Sequence, residues 1–134
     1  MEFTDRTRAR LARETVAWFT TVNQGGTPIT LPVWFLWNGD DEILIYSLTN
    51  AARLRNIAAN PRVSFHLDGD GHGGAVVVLE GTASIDNDHP PADRKPDYLD
   101  RYRGYMNAYG WTPEWFAGRY SVAIRVKVDN VREW

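Results

Sequence analysis

The chain has 134 residues, of which 43% are hydrophobic and 24% are charged, and this length and composition predict one folded globular domain covering residues 1–134. It contains no cysteine, which excludes disulfide frameworks, zinc fingers, iron–sulfur clusters and thiol nucleophiles. A net charge of −2 argues against a nucleic-acid partner, because neutralising phosphates requires a basic face.

The N-terminal segment from Met1 to Glu14 carries four arginines interleaved with acids, and no apolar run that resembles a signal sequence follows it. No stretch approaches the roughly 18 consecutive apolar residues that a membrane helix needs. These features predict a cytoplasmic protein without a membrane partner.

Aromatic side chains are abundant, with six tryptophans and six tyrosines in this short chain. Such residues are enriched at protein interfaces and in pockets that bind flat rings. The excess indicates a dimer interface, a planar ligand or both, with filling of the core as the alternative for any single tryptophan.

The first half of the chain predicts a surface helix from Thr4 to Ala12, followed by a strand from Val16 to Val22 that ends at a glycine pair. A second strand is predicted from Ile29 to Trp37, and a third from Glu42 to Leu48. The second strand is apolar on both faces. We therefore expect it to be buried inside a barrel or against a partner subunit.

A helix is predicted from Asn50 to Ala59, because its apolar residues have helical spacing and Pro61 ends the pattern. The fourth strand is predicted from Arg62 to Asp68. After a glycine-rich loop, the fifth runs from Ala75 to Asp86, and Gly81 within it indicates a bulge or bend.

Tyrosines at helical intervals predict a further helix from Asp97 to Tyr109, and Thr112 before Pro113 is typical of a helix N-cap. The alternation from Ser121 to Val128 predicts the closing strand. The fold class is therefore mainly β with inserted helices, and the order of elements predicts a small six-stranded, closed or partly split β-barrel.

The sequence offers little protein-based chemistry. His66, His72 and His89 lie on a predicted strand and two loops without metal-ligand spacing, so we expect no metal site. Most acids lie in predicted turns, and neither a Ser-His-Asp arrangement nor a phosphate-binding glycine loop of the Walker type is visible. Hydrolase and nucleotidase functions are thereby disfavoured, and the catalytic residues are unknown.

The most informative segment runs from Tyr46 to Asn56 and joins the third strand to the following helix. Hydroxyl groups at the strand end, free N–H groups at the helix start and a guanidinium one turn later would together surround a phosphate. In the alternative interpretation, Thr49 or Asn50 caps the helix and the arginines are solvated. On spacing alone, this alternative is the simpler one.

This segment, together with Asn60-Pro61-Arg62-Val63 after it, resembles the signature of the pyridoxamine-phosphate-oxidase-like split β-barrel superfamily. Gly26-Thr27-Pro28 leading to residues 31–35, and the run from Val78 to Ala83, are similar to the second and fifth strands of that superfamily. The resemblance covers about residues 8–134, and several motifs in the correct order are more specific than any one alone. The C-terminal part is similar to the actinobacterial branch that uses the deazaflavin coenzyme F420.

The resemblance implies an FMN-binding-like split barrel that is a homodimer with two sites at the interface. It implies phosphate contacts from the segment that ends the third strand and starts the helix, and contacts to the flat ring from the second strand. The implied phosphate-binding residues are Ser47, Thr49, Arg53 and Arg55, with Asn56 in support and Tyr46 beside them. The implied ring-lining residues are Pro32, Val33 and Trp34, and Trp111, Trp115 or Trp134 of the partner subunit is expected to cover the ring.

The sequence departs from the superfamily pattern in two ways. Many relatives carry lysine where this chain has Arg53. Arginine keeps the positive charge but replaces the compact ammonium group with a planar guanidinium. The basic C-terminal substrate motif of vitamin B6 oxidases is not found, so oxidation of vitamin B6 is not expected. Arg53 should still bind phosphate.

Three functions remain open. The first is an oxidoreductase that transfers a hydride from reduced F420, or alternatively from FMN, to a small unsaturated acceptor, with Tyr46 or a tyrosine of the 98–109 helix as a candidate proton donor. The second is a non-catalytic protein that binds a flavin, a deazaflavin or another planar ligand. The third is a dimeric barrel that has lost cofactor binding.

Overall fold

The computed structural model describes residues 1–134 and contains seven strands, four α-helices and one short 3₁₀ helix. In chain order the elements are α1 (Asp5–Arg13), β1 (Val16–Val22), β2 (Pro28–Trp34), β3 (Leu36–Trp37), β4 (Glu42–Ser47), α2 (Ala52–Ala59), β5 (Arg62–His66), β6 (Val77–Ile85), the 3₁₀ helix (Ala92–Arg94), α3 (Pro96–Tyr109), α4 (Pro113–Arg119) and β7 (Val122–Glu133).

All strands belong to one antiparallel sheet in the order β2-β1-β5-β6-β7-β4-β3. The two edge strands, β2 and β3, follow each other in the chain with only Phe35 between them. The sheet therefore curls until its edges meet at this residue, which makes it a split barrel. The predicted fold class is confirmed, with the second predicted strand divided into β2 and β3.

The division at Phe35 is maintained by the buried hydroxyl of Tyr102 on α3. This hydroxyl accepts a hydrogen bond from the Phe35 N–H (2.7 Å) and lies within donating distance of the carbonyls of Phe35 (2.8 Å) and Thr15 (2.6 Å). It thus replaces the strand partners that the Phe35 backbone lacks at this point. The strand predicted from Ile29 to Trp37 is consequently not continuous.

The protein has two apolar clusters, one on each face of the sheet. Strand β4 separates them by simple alternation, because Ile43 and Ile45 point into the barrel while Leu44 and Tyr46 point outward toward α3 and α4. The outer cluster therefore packs α3 and α4 against the outside of the barrel.

Gly81 lies at a register shift between β6 and β7, as the sequence predicted. A Cβ atom at this position would lie 2.2 Å from the carbonyl oxygen of Lys127, a distance that no side chain tolerates. The bulge therefore requires glycine because the two backbones approach closely there.

The predicted helices are all present, with ends that differ by one or two residues. Thr112 caps α4 as expected, since its Oγ1 accepts the Trp115 N–H at 3.1 Å. The predicted closing strand is longer than expected, because β7 continues to Glu133 along β6. None of the helices is long and apolar enough to span a membrane.

Of the two alternatives for burying β2, inside the barrel or against a partner subunit, the first is wrong for most of the strand. Residues Pro28 to Pro32 are exposed, and the side chains of Ile29 and Leu31 are 36% and 49% accessible. The physical reason is that β2 is an edge strand paired only with β1, and only its last residues, Val33 and Trp34, join the apolar clusters. Burial of β2 against a partner subunit stays a prediction.

Replacing Tyr102 with phenylalanine removes the hydroxyl while keeping the ring. We expect Tyr102→Phe to lower the free energy of unfolding by about 2–3 kcal/mol, because buried backbone groups of Phe35 and Thr15 lose their partner. Urea denaturation measures this change. The matched control is Tyr105→Phe, which removes an exposed hydroxyl of the same helix and should cost less than about 0.5 kcal/mol. Equal losses in the two variants would refute the role of Tyr102.

His89 gives the stability a dependence on pH. Its Nε2 is buried without a partner, and its Nδ1 lies 3.6 Å from Asp86, which binds Arg125. Burial lowers the pKa of His89, an effect that Asp86 opposes in part. The folded state therefore binds fewer protons than the unfolded state, and stability present above the ordinary histidine pKa of 6.5 is lost as the pH falls from that value through the lower pKa of the folded state.

We expect the unfolding free energy of the wild type to decrease between pH 7 and pH 5, by at most about 1.4 kcal/mol per pH unit from this residue. The His89→Leu variant should show a shallower decrease over the same range. Parallel pH profiles for the two proteins would show that His89 does not contribute.

Candidate functional site

A cavity of about 410 Å³ lies between the end of β2, the end of β4, the start of α2 and the helical pair α3–α4. Ten of its twelve lining residues are hydrophobic. The lining residues are Val16, Pro32, Val33, Trp34, Tyr46, Leu48, Arg53, Tyr98, Tyr109, Trp111, Phe116 and Tyr120. Five of the nine predicted site residues therefore meet here.

One wall of the cavity is the end of β2, formed by Pro32, Val33 and Trp34. The indole of Trp34 stacks on the ring of Tyr102 at 4.7 Å with an interplanar angle of 4°, and on Phe116 at 5.3 Å with 18°. Tyr102 of α3 also accepts a hydrogen bond from the backbone of Phe35, the residue that follows Trp34. Helix α3 therefore holds this wall in position. All three predicted ring-lining residues therefore lie on the cavity, and Trp34 is held there by its stacking partners.

Arg53 is the only positively charged residue that lines the cavity. It lies in the first turn of α2 and is half-buried, and its guanidinium has no hydrogen bond or salt bridge to any group of the protein. Burial lowers its pKa, although the side chain of Tyr120 nearby acts in the opposite direction. A half-buried cation without a counterion in an apolar cavity is suited to bind an anionic group of a ligand.

The N-terminus of α2 is not capped by a side chain. Its N-cap residue is Ala51, while Thr49 and Asn50 are exposed and make no capping hydrogen bond. The alternative interpretation, in which Thr49 or Asn50 caps the helix, is therefore wrong. The first-turn N–H groups keep their capacity to bind an anion beside Arg53.

Two predicted phosphate-binding residues point away from the cavity. The Ser47 hydroxyl is buried and donates to the carbonyl of Leu48 at 3.0 Å, and the Asn56 amide donates to the Thr21 hydroxyl at 3.0 Å. Ser47 has the same strand parity as Ile43 and Ile45, so the alternation of β4 already indicated that it faces the barrel interior. In this structure, both side chains support the scaffold.

Thr49 and Arg55, the remaining predicted residues, are exposed and lie outside the cavity lining. The Arg55 side chain makes no hydrogen bond or salt bridge to the protein. These two residues flank the start of α2 rather than face the apolar walls.

Tyr46 lines the cavity, but its hydroxyl donates to the carbonyl of Pro90 at 2.7 Å. Burial raises the pKa of this phenol, with smaller contributions from Asp97 and Asp93. The group therefore stays protonated at neutral pH and is already engaged in a hydrogen bond.

A second aromatic wall of the cavity comes from the same chain and consists of Tyr98, Tyr109, Trp111, Phe116 and Tyr120. The sequence analysis named Trp111 only as a residue of a partner subunit and the tyrosines of the 98–109 helix only as candidate proton donors, so it missed this wall. The helical spacing of the tyrosines was the available signal, because it puts several rings on one side of α3.

The tryptophans expected from a partner subunit are arranged differently within the protomer. Trp111 lines the cavity of its own chain, and Trp115 packs against it at 5.0 Å. Trp134 lies outside the cavity lining, and its indole N–H donates to the Gly73 carbonyl at 3.3 Å. Coverage of the ring by a partner's tryptophan stays a prediction.

Several solved structures share this fold. An F420 reductase is 21% identical, with a TM-score of 0.69 over 95% of this chain and 96% of that one. The conserved hypothetical protein Rv2991 from Mycobacterium tuberculosis is 23% identical, with a TM-score of 0.75 over 100% and 85% of the two chains. An FAD-binding protein from Mesorhizobium loti is 20% identical, with a TM-score of 0.65 over 96% and 92%.

None of the curated proteins matches the sequence. The model of the pyridoxamine 5'-phosphate oxidase family, in contrast, matches residues 3–134, which is nearly the whole chain. This match agrees with the split barrel and with the solved structures that share it. The chain therefore belongs to the pyridoxamine 5'-phosphate oxidase family.

Proposed function

We propose that the protein is an oxidoreductase that uses the deazaflavin coenzyme F420 to reduce a small unsaturated acceptor. The observation that carries this proposal is the unpaired, half-buried Arg53 in an otherwise apolar, aromatic cavity. Such a site fits a ligand that combines an anionic group with a flat ring system, which is the chemistry of a phosphate-bearing flavin or deazaflavin. An F420 reductase of the same fold supports the choice of F420.

Arg53 and the uncapped N-terminus of α2 would hold the phosphate. The guanidinium supplies charge and hydrogen-bond donors, and the first-turn N–H groups supply further donors aligned with the helix dipole. Thr49 and Arg55 are exposed beside this helix start and would contact the phosphate or the solvent around it. Ser47 and Asn56 would position the strand and helix rather than bind the phosphate.

Pro32, Val33 and Trp34 would line one side of the ring. The aromatic residues of α3 and α4 would limit the entry of water from the other side, which favours hydride transfer over side reactions. The bound coenzyme supplies the hydride, that is, one proton with two electrons, which the acceptor takes up at one end of its double bond while a proton from solvent or a tyrosine adds to the other end.

FMN is the second candidate, because an FAD-binding protein has the same fold and FAD contains the same flavin ring as FMN. A flavin carries the same combination of phosphate and planar ring, so Arg53 and the β2 wall suit it equally. A protein that binds either cofactor without turnover would use the same contacts. Consumption of reduced cofactor on addition of menadione, a quinone acceptor, separates the enzyme from the binding protein.

We further propose a homodimer in which β2 is covered by the second copy. Strand β2 exposes Ile29 and Leu31, and Val16 on the adjacent end of β1 is 38% accessible and also lines the cavity. An exposed apolar edge strand promotes aggregation unless a partner covers it. The second copy would therefore reach the cavity rim along this strand.

The cofactor proposal is tested by titrating the purified protein with F420 and, separately, with FMN at fixed salt. We expect micromolar or tighter binding of F420, and a 10- to 100-fold weaker affinity in the Arg53→Gln variant, because a charge-assisted contact to the phosphate is lost. Cofactor fluorescence measures both. Tighter binding of FMN than of F420 would contradict the choice of F420 and indicate a flavin enzyme instead.

The matched control is Arg103→Gln, which makes the same change of charge on the exposed side of α3. This variant should bind with the affinity of the wild type. Equal losses of affinity in the two variants would indicate a general electrostatic attraction between the protein and the cofactor rather than a specific contact at Arg53. Binding of neither cofactor by the wild type would refute the proposal.

The dimer proposal is tested with Leu31→Glu. An unpaired carboxylate in an apolar interface should raise the dimer dissociation constant about 30-fold or more, and light scattering after size-exclusion chromatography should show dissociation to monomers. Ile85→Glu places the same charge at a 38% accessible site at the end of β6 and should leave the wild-type mass unchanged. A monomeric wild type would contradict the proposal.

A further inference from the structure

Tyr98 lies in the first turn of α3 and lines the cavity, yet it is fully buried by its neighbours. Its ring packs edge-on against Tyr46 at 4.9 Å, tilted against Tyr102 at 4.8 Å and stacked against Phe116 at 5.9 Å. Its hydroxyl has no hydrogen-bond partner in the protein. Tyr98 and His89 are the only residues with a buried, unpartnered polar side-chain atom, and of the two only Tyr98 lines the cavity.

The neighbouring tyrosines show that this is not a general property of the cluster. Tyr46 donates to the Pro90 carbonyl, and Tyr102 is bonded to the backbone of Phe35 and Thr15. A buried hydroxyl without a partner lowers stability, and native proteins satisfy nearly all such groups. The unsatisfied hydroxyl belongs to a residue that lines a ligand-sized cavity, and it therefore calls for an acceptor that the protein itself does not provide.

We infer that the Tyr98 hydroxyl donates a hydrogen bond to a carbonyl-type oxygen of the molecule bound in the cavity, and that Tyr98 thereby determines specificity. This inference rests on the proposed function, since it requires the cavity to be the binding site. Burial raises the pKa of Tyr98, so the group remains a neutral donor at physiological pH. The ligand is then recognised at two poles, by its anionic group at Arg53 and by its oxygen at Tyr98.

Two molecules could supply this oxygen, namely the ring system of the cofactor or the acceptor substrate bound beside it. Both present the same chemistry to Tyr98, a carbonyl oxygen conjugated with a ring. The experiment therefore has one arm for each, and the probes are F420, FMN and menadione.

The test compares wild type with Tyr98→Phe, which removes only the hydroxyl. Each protein is titrated with F420 and FMN, and then with menadione, both without cofactor and in the presence of oxidised cofactor, so that no turnover occurs. We expect about 3- to 10-fold weaker binding in at least one arm, the loss of one neutral hydrogen bond. Weaker cofactor binding assigns the oxygen to the ring, and weaker menadione binding alone assigns it to the acceptor.

Thermal unfolding without ligand provides the second readout. Because the hydroxyl has no partner in the protein, Tyr98→Phe should melt at the wild-type temperature or higher. Tyr105→Phe is the matched control, since this hydroxyl on the same helix bonds Thr15 outside the cavity, and it should not change any affinity.

The inference is overturned if Tyr98→Phe leaves all affinities unchanged, or if it lowers the melting temperature of the free protein with no loss of binding. Failure of the proposed function looks different, because the wild type itself would then bind neither cofactor. Menadione binding to the cofactor-free protein still tests Tyr98 in that case, and an unchanged or undetectable affinity there overturns the inference.

Discussion

The hydrogen bonds of the Tyr102 hydroxyl with the backbone of Phe35 are the interaction on which the arrangement of this protein depends. They separate β2, which ends at Trp34, from β3, which begins at Leu36. The two edges of the sheet therefore meet without forming one continuous strand. The same ring stacks under Trp34. One tyrosine of α3 therefore fixes both the split of the barrel and the wall of the cavity, and α3 itself is held outside the barrel by the outer apolar cluster.

The second constraint is electrostatic. Arg53 enters an apolar cavity at the start of a helix that no side chain caps, and no carboxylate of the chain approaches its guanidinium. The protein thus keeps a partly desolvated cation and free N–H donors at one place. Their cost in stability is a reason to expect an anionic ligand, because binding such a ligand relieves it.

The segment from Tyr46 to Asn56 illustrates how far residue order can be used to predict a site. The strand-to-helix transition and an arginine one turn into the helix were visible in the sequence, but residue spacing favoured a cap from Thr49 or Asn50, and only the structure shows that the helix start is uncapped. The inward orientation of Ser47 followed from its parity with Ile45, and parity is also sequence information. Asn56 differs, since its partner Thr21 lies 35 residues away in the chain and no local pattern links the two.

The sequence by itself determined the order of strands and helices, the bulge at Gly81 and the position of the cation, because alternation, glycine and helix signals act between near neighbours. Only the tertiary structure decided that the second predicted strand breaks at Phe35, because its apolar alternation continues through the break and the hydroxyl responsible lies 67 residues away. It likewise decided that Tyr98 is unpartnered while Tyr46 and Tyr102 are bonded. Hydrogen-bond satisfaction of a buried side chain depends on contacts between distant segments, and these exist only once the chain has folded.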